Sequence, residues 1–424
     1  MQQAKRERFH RERLQAIGQD HVLAHWDALT ETERAELLSC MDRIPYDALE
    51  RVHEAGVEAL APRVPPVHAL TPVKPVDLTG PDPELRRACE TGQRALRAGH
   101  VAAVTLAGGQ GTRLGFLGPK GTYPIEADTG RSFFHILGEA VREESRRAGR
   151  PIAWYVMTSD ATHEETLRFF ELHGHFGLDV GQVRLFRQGC LPSIGLDGHL
   201  LLADKQRLAM SPDGHGGLLE ALGASGQLER MGAEGTKYLS VFQVDNPLVR
   251  WFDTTFLGLH VLHNVEVSCK VIGKREDGEG LGNICIHEGR TICLEYSDFP
   301  KEHASARNAD GTRRFDAGNI SIYVMGVEFL AELADRGVVL PVHLARKKVV
   351  ALDPSTGSRV EPEEPNGYKM ERFVFDVLPL ARGVLVARTR REEEFSPVKT
   401  LTGPDSVESC RRAMGRIAAG GTRK

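Results

Sequence analysis

The stretch Leu106-Ala-Gly-Gly-Gln-Gly-Thr-Arg-Leu-Gly115, followed closely by Pro119-Lys-Gly121, decides how the rest of the chain is read. Upstream, Val101-Ala-Ala-Val-Thr-Leu106 is apolar almost throughout and ended by glycine, the pattern of a short buried strand. Gly108, Gly109 and Gly111 let the backbone pass close to a ligand and turn successive N–H groups into one concavity, which suits phosphate oxygens. Arg113 and Lys120 add positive charge to that cradle. Two familiar phosphate loops are excluded. The G-x-G-x-x-G fingerprint needs glycine at Leu114, and the Walker A pattern needs Gly-Lys-Ser/Thr where this chain has Pro119-Lys120-Gly121. Read alone, the stretch is a phosphate loop of unassigned kind or a glycine-rich turn.

Composition narrows the class. A chain of 424 residues with 41% hydrophobic content suggests a globular protein of two or three domains. A net charge of −4 argues against a nucleic-acid-binding surface, so anionic substrates would be met by local Lys and Arg. No apolar run approaches the ~18–20 residues of a membrane span, and the N-terminus lacks the apolar core of a signal peptide. Seven cysteines without a C-x-x-C read as reduced cytosolic residues, with a cytoplasmic location expected. Cys285 and Cys293 could face each other across a hairpin, a reading that carries little weight beside the reduced one. The histidines His173, His175, His260 and His263 read as surface or loop residues, and His163 lacks the second histidine of a zinc-protease helix.

Along the chain, Thr30-Glu-Thr-Glu33 is a capping box and predicts a helix start. Prolines from Pro62 to Pro83 predict an extended connection, and a helix follows from Pro83 through Leu96. Strands are predicted at 152–157, 183–186 and 238–244, with a helix over 164–173. This alternation predicts a mostly parallel sheet with helices on both faces. Thr158-Ser-Asp160, Gln188-Gly and Asp245-Asn246 each follow a strand, where ligands bind such sheets, so they are expected to converge on one crevice. Later stretches are richer in β: strands at 265–272 and 319–325, a hairpin over 283–295 turning near Glu288-Gly289, and a helix from Val327. The periodicity of 369–380 predicts a helix with Phe373, Val374 and Val377 inward, and 406–416 a closing helix.

Singly, the polar candidates are open to bland readings. Asp245 is either a cap or a carboxylate that needs a bridging Mg²⁺ beside phosphates. Gln188 is a solvated loop residue or the donor–acceptor pair for a uracil edge. Pro212-Asp-Gly-His-Gly-Gly217 reads as a turn, Lys369 and Lys399 as solvated lysines, and Glu295 and Asn319 as hydroxyl partners or strand-end polar groups.

Taken together they carry a resemblance. The glycine stretch with Pro119-Lys-Gly, then Gln188-Gly-Cys-Leu-Pro, Pro212-Asp-Gly-His-Gly-Gly, Val244-Asp-Asn, Leu294-Glu-Tyr-Ser-Asp, Asp316-Ala-Gly-Asn-Ile, Lys369-Met-Glu-Arg-Phe-Val-Phe-Asp and Arg391 through Lys399 run in order. They resemble the eukaryotic-type UDP-sugar pyrophosphorylases, most closely the UDP-N-acetylhexosamine pyrophosphorylases. The resemblance covers roughly residues 100 to 400. It implies an α/β, Rossmann-like nucleotidyltransferase domain of the glycosyltransferase-A kind over 99–385, with a mixed sheet and helices on both faces. A helical appendage over 1–98 precedes it and a short C-terminal segment, 386–424, carries Lys399. It implies uridylyl transfer from UTP to a sugar-1-phosphate with release of pyrophosphate. Leu106, Ala107, Gly108 and Gly109 would hold the nucleotide, with Gln188 on uracil and Gly214 close to the base. Arg113 and Lys120 would neutralise the leaving phosphates, and Asp245 would hold Mg²⁺. Glu295 and Asn319 would meet sugar hydroxyls, and Lys369 and Lys399 would grip the sugar phosphate and α-phosphate.

Three departures accompany it. His215 stands where the N-acetylhexosamine enzymes generally have Asn, making Gly-His-Gly resemble the glucose-type enzymes. Ser321-Ile322 replaces the usual Asn-His. Both lie in regions expected near the sugar. Only about 25 residues follow Lys399, so the C-terminal β-domain of many relatives is expected to be missing or vestigial, and a monomer is expected. N-acetylglucosamine-1-phosphate is the first expected acceptor and glucose- or galactose-1-phosphate the second. The rivals are a transferase using another nucleoside triphosphate and a silent nucleotide-sugar binder.

Overall fold

The strand foreseen at Val101–Leu106 is buried along its whole length and lies inside a large mixed sheet. The computed structural model of the protein describes residues 2–61, 64–353 and 356–420. Pro62, where the proline-rich connection begins, and the last residues of the C-terminal segment, 421–424, lie outside them. The chain groups into two compact units.

The larger unit comprises 64–187, 218–339 and 375–424. Across its sheet the strands run Val76–Asp77, Val384–Arg388, Val267–Ile272, Gly318–Gly326, Tyr238–Gln243, Val101–Leu106, Trp154–Thr158 and Val183–Arg187. Pairing is parallel except where Gly318–Gly326 meets its two neighbours and where the Asn283–His287/Arg290–Leu294 hairpin attaches. The parallel strands read as apolar runs because helices cover both faces. On one face Trp154 donates its indole N–H to Thr105 Oγ1 at 2.8 Å, which satisfies the one polar atom of a fully buried ring. The Pro83–Arg97 and Thr254–Leu262 helices cross so closely that a Cβ at Gly92 or Gly258 would strike the other helix's backbone, at 2.0 Å from Thr254 O and 1.7 Å from Ala88 O. The hairpin turns at Glu288 and Gly289, both with positive φ, as a tight two-residue turn requires. Its register sets Cys285 opposite Ile292 and Cys293 opposite Ile284. Cys285 and Cys293 therefore occupy opposite faces and do not meet, contrary to the expectation. His260 also departs from its reading: it is buried inside the Thr254–Leu262 helix, with Nδ1 2.9 Å from Ser268 Oγ.

The smaller unit comprises 1–63, 188–217 and 340–374. The Glu31–Met41 helix begins with the foreseen capping box, Thr30 N–H donating to the Glu33 carboxylate at 2.7 Å. The N-terminal helices do not form a core alone. Leu14, Leu37, Leu38, Met41 and Leu49 pack with Leu191, Ile194, Leu208 and Met370 from the two later segments. Residues 64–98 group instead with the sheet-bearing unit.

The helix expected over 369–380 is absent. Gly367–Glu371 is a strand, hydrogen-bonded between His343–Lys347 and Ile194–Gly195, and a 3₁₀ turn follows over Val374–Leu380. Two strand partners outweigh the local period, although Val374, Phe375, Val377 and Leu378 are all buried. Pro379 inside the turn removes a donor that a regular helix would need. Among the described residues no helix is long and apolar enough to cross a membrane.

Candidate active site

In the sheet-bearing unit the glycine stretch leaves the end of its strand as a closed loop. Ala107 N–H still pairs with Met157 O at 2.8 Å, and Gly108 O accepts from Ser159 Oγ at 2.8 Å, so the Thr158-Ser-Asp160 cluster anchors the loop's base. The chain then doubles back: Gly111 N–H donates to Gly118 O at 2.9 Å and Lys120 N–H to Gly109 O at 3.0 Å. Gly115 turns in the left-handed region, φ 61°, and Leu114 is the buried anchor. Gly109 and Arg113 are exposed on this loop, whereas Leu106 and Ala107 are buried in its root.

Asp245 follows the neighbouring parallel strand. Its Oδ2 accepts from Lys120 Nζ at 2.7 Å, and both side chains are largely enclosed. Its carbonyl accepts from Val398 N–H at 3.0 Å, which brings the backbone preceding Lys399 alongside. Lys399 is half exposed, its Nζ 3.5 Å from Asp405 Oδ2. Loop, Lys120, Asp245 and the approach to Lys399 are thus joined in one unit by direct bonds.

Glu295 and Asn319 lie in the same unit, where the hairpin meets the Gly318–Gly326 strand. Glu295 is half-buried at the hairpin's end and accepts from Tyr296 N–H at 3.0 Å. Asn319 is buried and engaged. Its Nδ2 is 2.8 Å from Tyr323 Oη, and its Oδ1 accepts from Ser321 N–H at 3.0 Å. Ser321 has a positive φ of 54°, a conformation this short side-chain-to-backbone bond supports.

The smaller unit carries the remaining candidates. Gln188 is buried, and its amide NH₂ donates to Asp213 Oδ1 at 3.1 Å and to Gly214 O at 3.2 Å. Both donors are committed, which leaves the carbonyl Oε1 as the group that can meet an N–H. The Pro212–Gly217 loop packs tightly on the strand exit: a Cβ at Gly214, φ 83°, would lie 2.5 Å from Arg372 O. His215 Nδ1 accepts from Val374 N–H at 3.0 Å, so the ring is neutral with its proton on Nε2. Burial, with His343 adding like charge, pushes its pKa down to about 4. Lys369 is half-buried on its strand opposite Ala345.

The family described as UTP–glucose-1-phosphate uridylyltransferase matches residues 69–405. The chain belongs to this family. As a member it is a nucleotidyltransferase, with UTP and a sugar-1-phosphate as substrates and a UDP-sugar as product. It is 37% identical over 421 residues to human UDP-N-acetylhexosamine pyrophosphorylase-like protein 1, covering 95% of this chain and 83% of that protein. It is 34% identical to UDP-N-acetylglucosamine pyrophosphorylase of Saccharomyces cerevisiae, covering 93% and 87%. The structure of uridine diphosphate N-acetylglucosamine pyrophosphorylase from Trypanosoma brucei in complex with inhibitor matches with a TM-score of 0.81 at 25% identity, over 96% of this chain and 84% of that one. The mixed sheet described above is therefore a uridylyltransferase-family nucleotidyltransferase fold.

For this family member, sequence reading passed over four residues that structure joins to the candidates. Asp213 and Asn246 stood inside quoted motifs without a role. Lys270 and Tyr323 lay in strands read for their apolar pattern; an ionisable residue inside an otherwise buried strand was the available signal for Lys270.

Proposed function

We propose that this chain transfers the uridylyl group of UTP to N-acetylglucosamine-1-phosphate, giving UDP-N-acetylglucosamine and pyrophosphate. The observation that carries the reading is the Lys120–Asp245 pair beside the glycine loop, in a chain whose human and yeast relatives bear the N-acetylhexosamine and N-acetylglucosamine names. The attacking sugar phosphate is already ionised, so the reaction needs neither a general base nor a protein nucleophile. It needs two anions brought together and the charge of an in-line transition state stabilised.

Arg113 and Lys120 serve the β- and γ-phosphates, with Leu106 to Gly109 against the nucleotide. Gln188 Oε1 accepts the uracil N3–H, and Gly214 allows close approach of the base. Lys369 and Lys399 take the sugar phosphate and the α-phosphate, and Glu295 and Asn319 the sugar hydroxyls. Asp245 fits Mg²⁺: it is a single enclosed carboxylate next to a phosphate loop. Among the described residues no group of three or more Asp, Glu, His or Cys could hold a metal ion by itself, and Mg²⁺ characteristically binds through one or two carboxylates plus phosphates rather than an all-protein cage. When bound there, the ion supplies charge neutralisation at the α-phosphate. Asp245 would hold that ion, and Lys120, now bonded to Asp245, would be the cation available to phosphate oxygens. Reduced cysteines suit a cytoplasmic site of action.

A second acceptor, glucose-1-phosphate, is favoured by one observation: His215 occupies the Gly-His-Gly pattern of the glucose-type enzymes. Purified protein with Mg²⁺, each of UTP, CTP, ATP and GTP, and N-acetylglucosamine-1-phosphate tests the reaction itself. Pyrophosphate release with UTP is expected. Release with none of them, nor with UTP on glucose- or galactose-1-phosphate, would leave only the silent-binder reading.

A further inference from the structure

Lys270 is wholly buried in the Val267–Ile272 strand, and its ammonium serves two carboxylates at once. Nζ donates to Asp253 Oδ2 at 2.7 Å and to Glu394 Oε1 and Oε2 at 2.8 and 2.6 Å. Thr389 Oγ1 adds a fourth bond, to Glu394 Oε1 at 2.7 Å. Asp253 caps the Thr254–Leu262 helix through Thr255 N–H at 3.0 Å and Phe256 N–H at 3.2 Å, so it is fixed from the other side. Burial alone would raise Asp253 and lower Lys270, but their mutual charge holds Asp253 lowered and Lys270 raised. Asp253 and Lys270 are therefore both held in their charged forms.

Glu394 is held at both ends. Its carbonyl accepts from Asn246 Nδ2 at 2.7 Å; Asn246 Oδ1 accepts from Ser396 N–H at 3.1 Å; Val398 N–H donates to Asp245 O at 3.0 Å. Glu394 ends the short Arg391–Glu394 helix, and the bonds at 394, 396 and 398 lay the chain that leaves it along Asp245-Asn246, with Lys399 next in line. A slip of this chain by one residue would carry the Glu394 carboxylate away from Lys270. A buried charge resists that slip, because moving Glu394 would leave Lys270 short of a partner in a dry interior.

We infer that Lys270 and Glu394 are positioning residues that fix 394–398 against Asp245-Asn246 and so set where the backbone bond from Val398 to Asp245 places Lys399. The inference rests on the proposed role of Lys399 at a phosphate. Glu394→Gln tests it: the shape is kept and Lys270 remains paired with Asp253, while the second carboxylate is lost. Turnover and the dissociation constant for UDP-N-acetylglucosamine are measured in wild type, Glu394→Gln, Lys399→Ala and the double variant, with thermal unfolding as the check on folding. Glu394→Gln is expected to lower kcat/KM by about 10- to 100-fold alone, the usual range for groups that orient a functional side chain. In the Lys399→Ala background it is expected to cost less than about twofold, because the residue it positions is gone. Thr389→Val, which removes one bond to Glu394, is expected to show the same non-additivity at smaller size and serves where Glu394→Gln does not fold. Losses that multiply in the double variant, or wild-type activity of Glu394→Gln, overturn the inference while wild-type turnover stands. Absent wild-type turnover overturns the reading beneath it.

Discussion

Lys120 Nζ donates to Asp245 Oδ2 across 2.7 Å, tying the return arm of the glycine loop to the end of the adjacent parallel strand. The two backbones alone would only place loop and strand end side by side. The ion pair joins them as one charged unit.

From this pair, the two residues should fail differently. Asp245→Asn should lower kcat by about 10²- to 10³-fold and raise the Mg²⁺ concentration needed for half-maximal rate. Lys120→Met should lose comparable rate with the Mg²⁺ dependence unmoved. Pyrophosphate release across a Mg²⁺ titration reads both, and an unchanged Mg²⁺ requirement in Asp245→Asn would remove that residue from the metal.

Gln188 offers uracil an acceptor, since its donors go to Asp213 and Gly214. Cytosine carries no N–H at N3, so UTP should be strongly preferred to CTP. Gln188→Leu should cut the UTP/CTP ratio of kcat/KM by about tenfold or more, mostly by losing UTP. A ratio that survives the substitution would place base recognition elsewhere.

Tyr323 is fully buried, with its hydroxyl 2.8 Å from Asn319 Nδ2. Tyr323→Phe removes both bonds between the hydroxyl and the Asn319 amide, for a stability cost of about 1–3 kcal/mol. It also loosens the amide proposed to face the sugar. KM for the sugar phosphate should rise while KM for UTP holds. Equal changes in both would argue against Asn319 as a sugar contact.

Stability should depend on pH through His260, which burial pushes down to about 4. Its Nε2 is buried without a hydrogen-bond partner, so the neutral ring is the folded form. Between pH 6.5 and 4 the unfolded chain takes up a proton that the folded chain refuses. Stability is therefore full above pH 6.5 and falls as pH drops through that window, by on the order of 3 kcal/mol. His215 adds to the same trend. Urea unfolding across this range should show a shallower slope in His260→Asn than in wild type; identical slopes would contradict the assignment.

Local signals carried far in this chain. The strand at Val101–Leu106, the capping box at Thr30 and the turn at Glu288-Gly289 were legible because each depends on neighbours within a few residues. Lys369–Leu380 was misread for the converse reason: its strand is made by partners at 194–195 and 343–347, which no local period announces. The same holds for Met370, whose core is shared with helices that begin more than 300 residues earlier. At the site, side-chain types marked Lys120 and Asp245, but only the pairing of adjacent strands brings them into contact. Lys270 was hidden because its two carboxylates come from a helix cap and from the far end of the chain.

Uridylyl transfer to an N-acetylated sugar stands or falls on a comparison of two acceptors. Purified wild-type protein with UTP and Mg²⁺ should release pyrophosphate with a kcat/KM at least about tenfold higher on N-acetylglucosamine-1-phosphate than on glucose-1-phosphate, the discrimination that one fitted substituent supports. A preference for glucose-1-phosphate would contradict the claim and return the choice of sugar to His215.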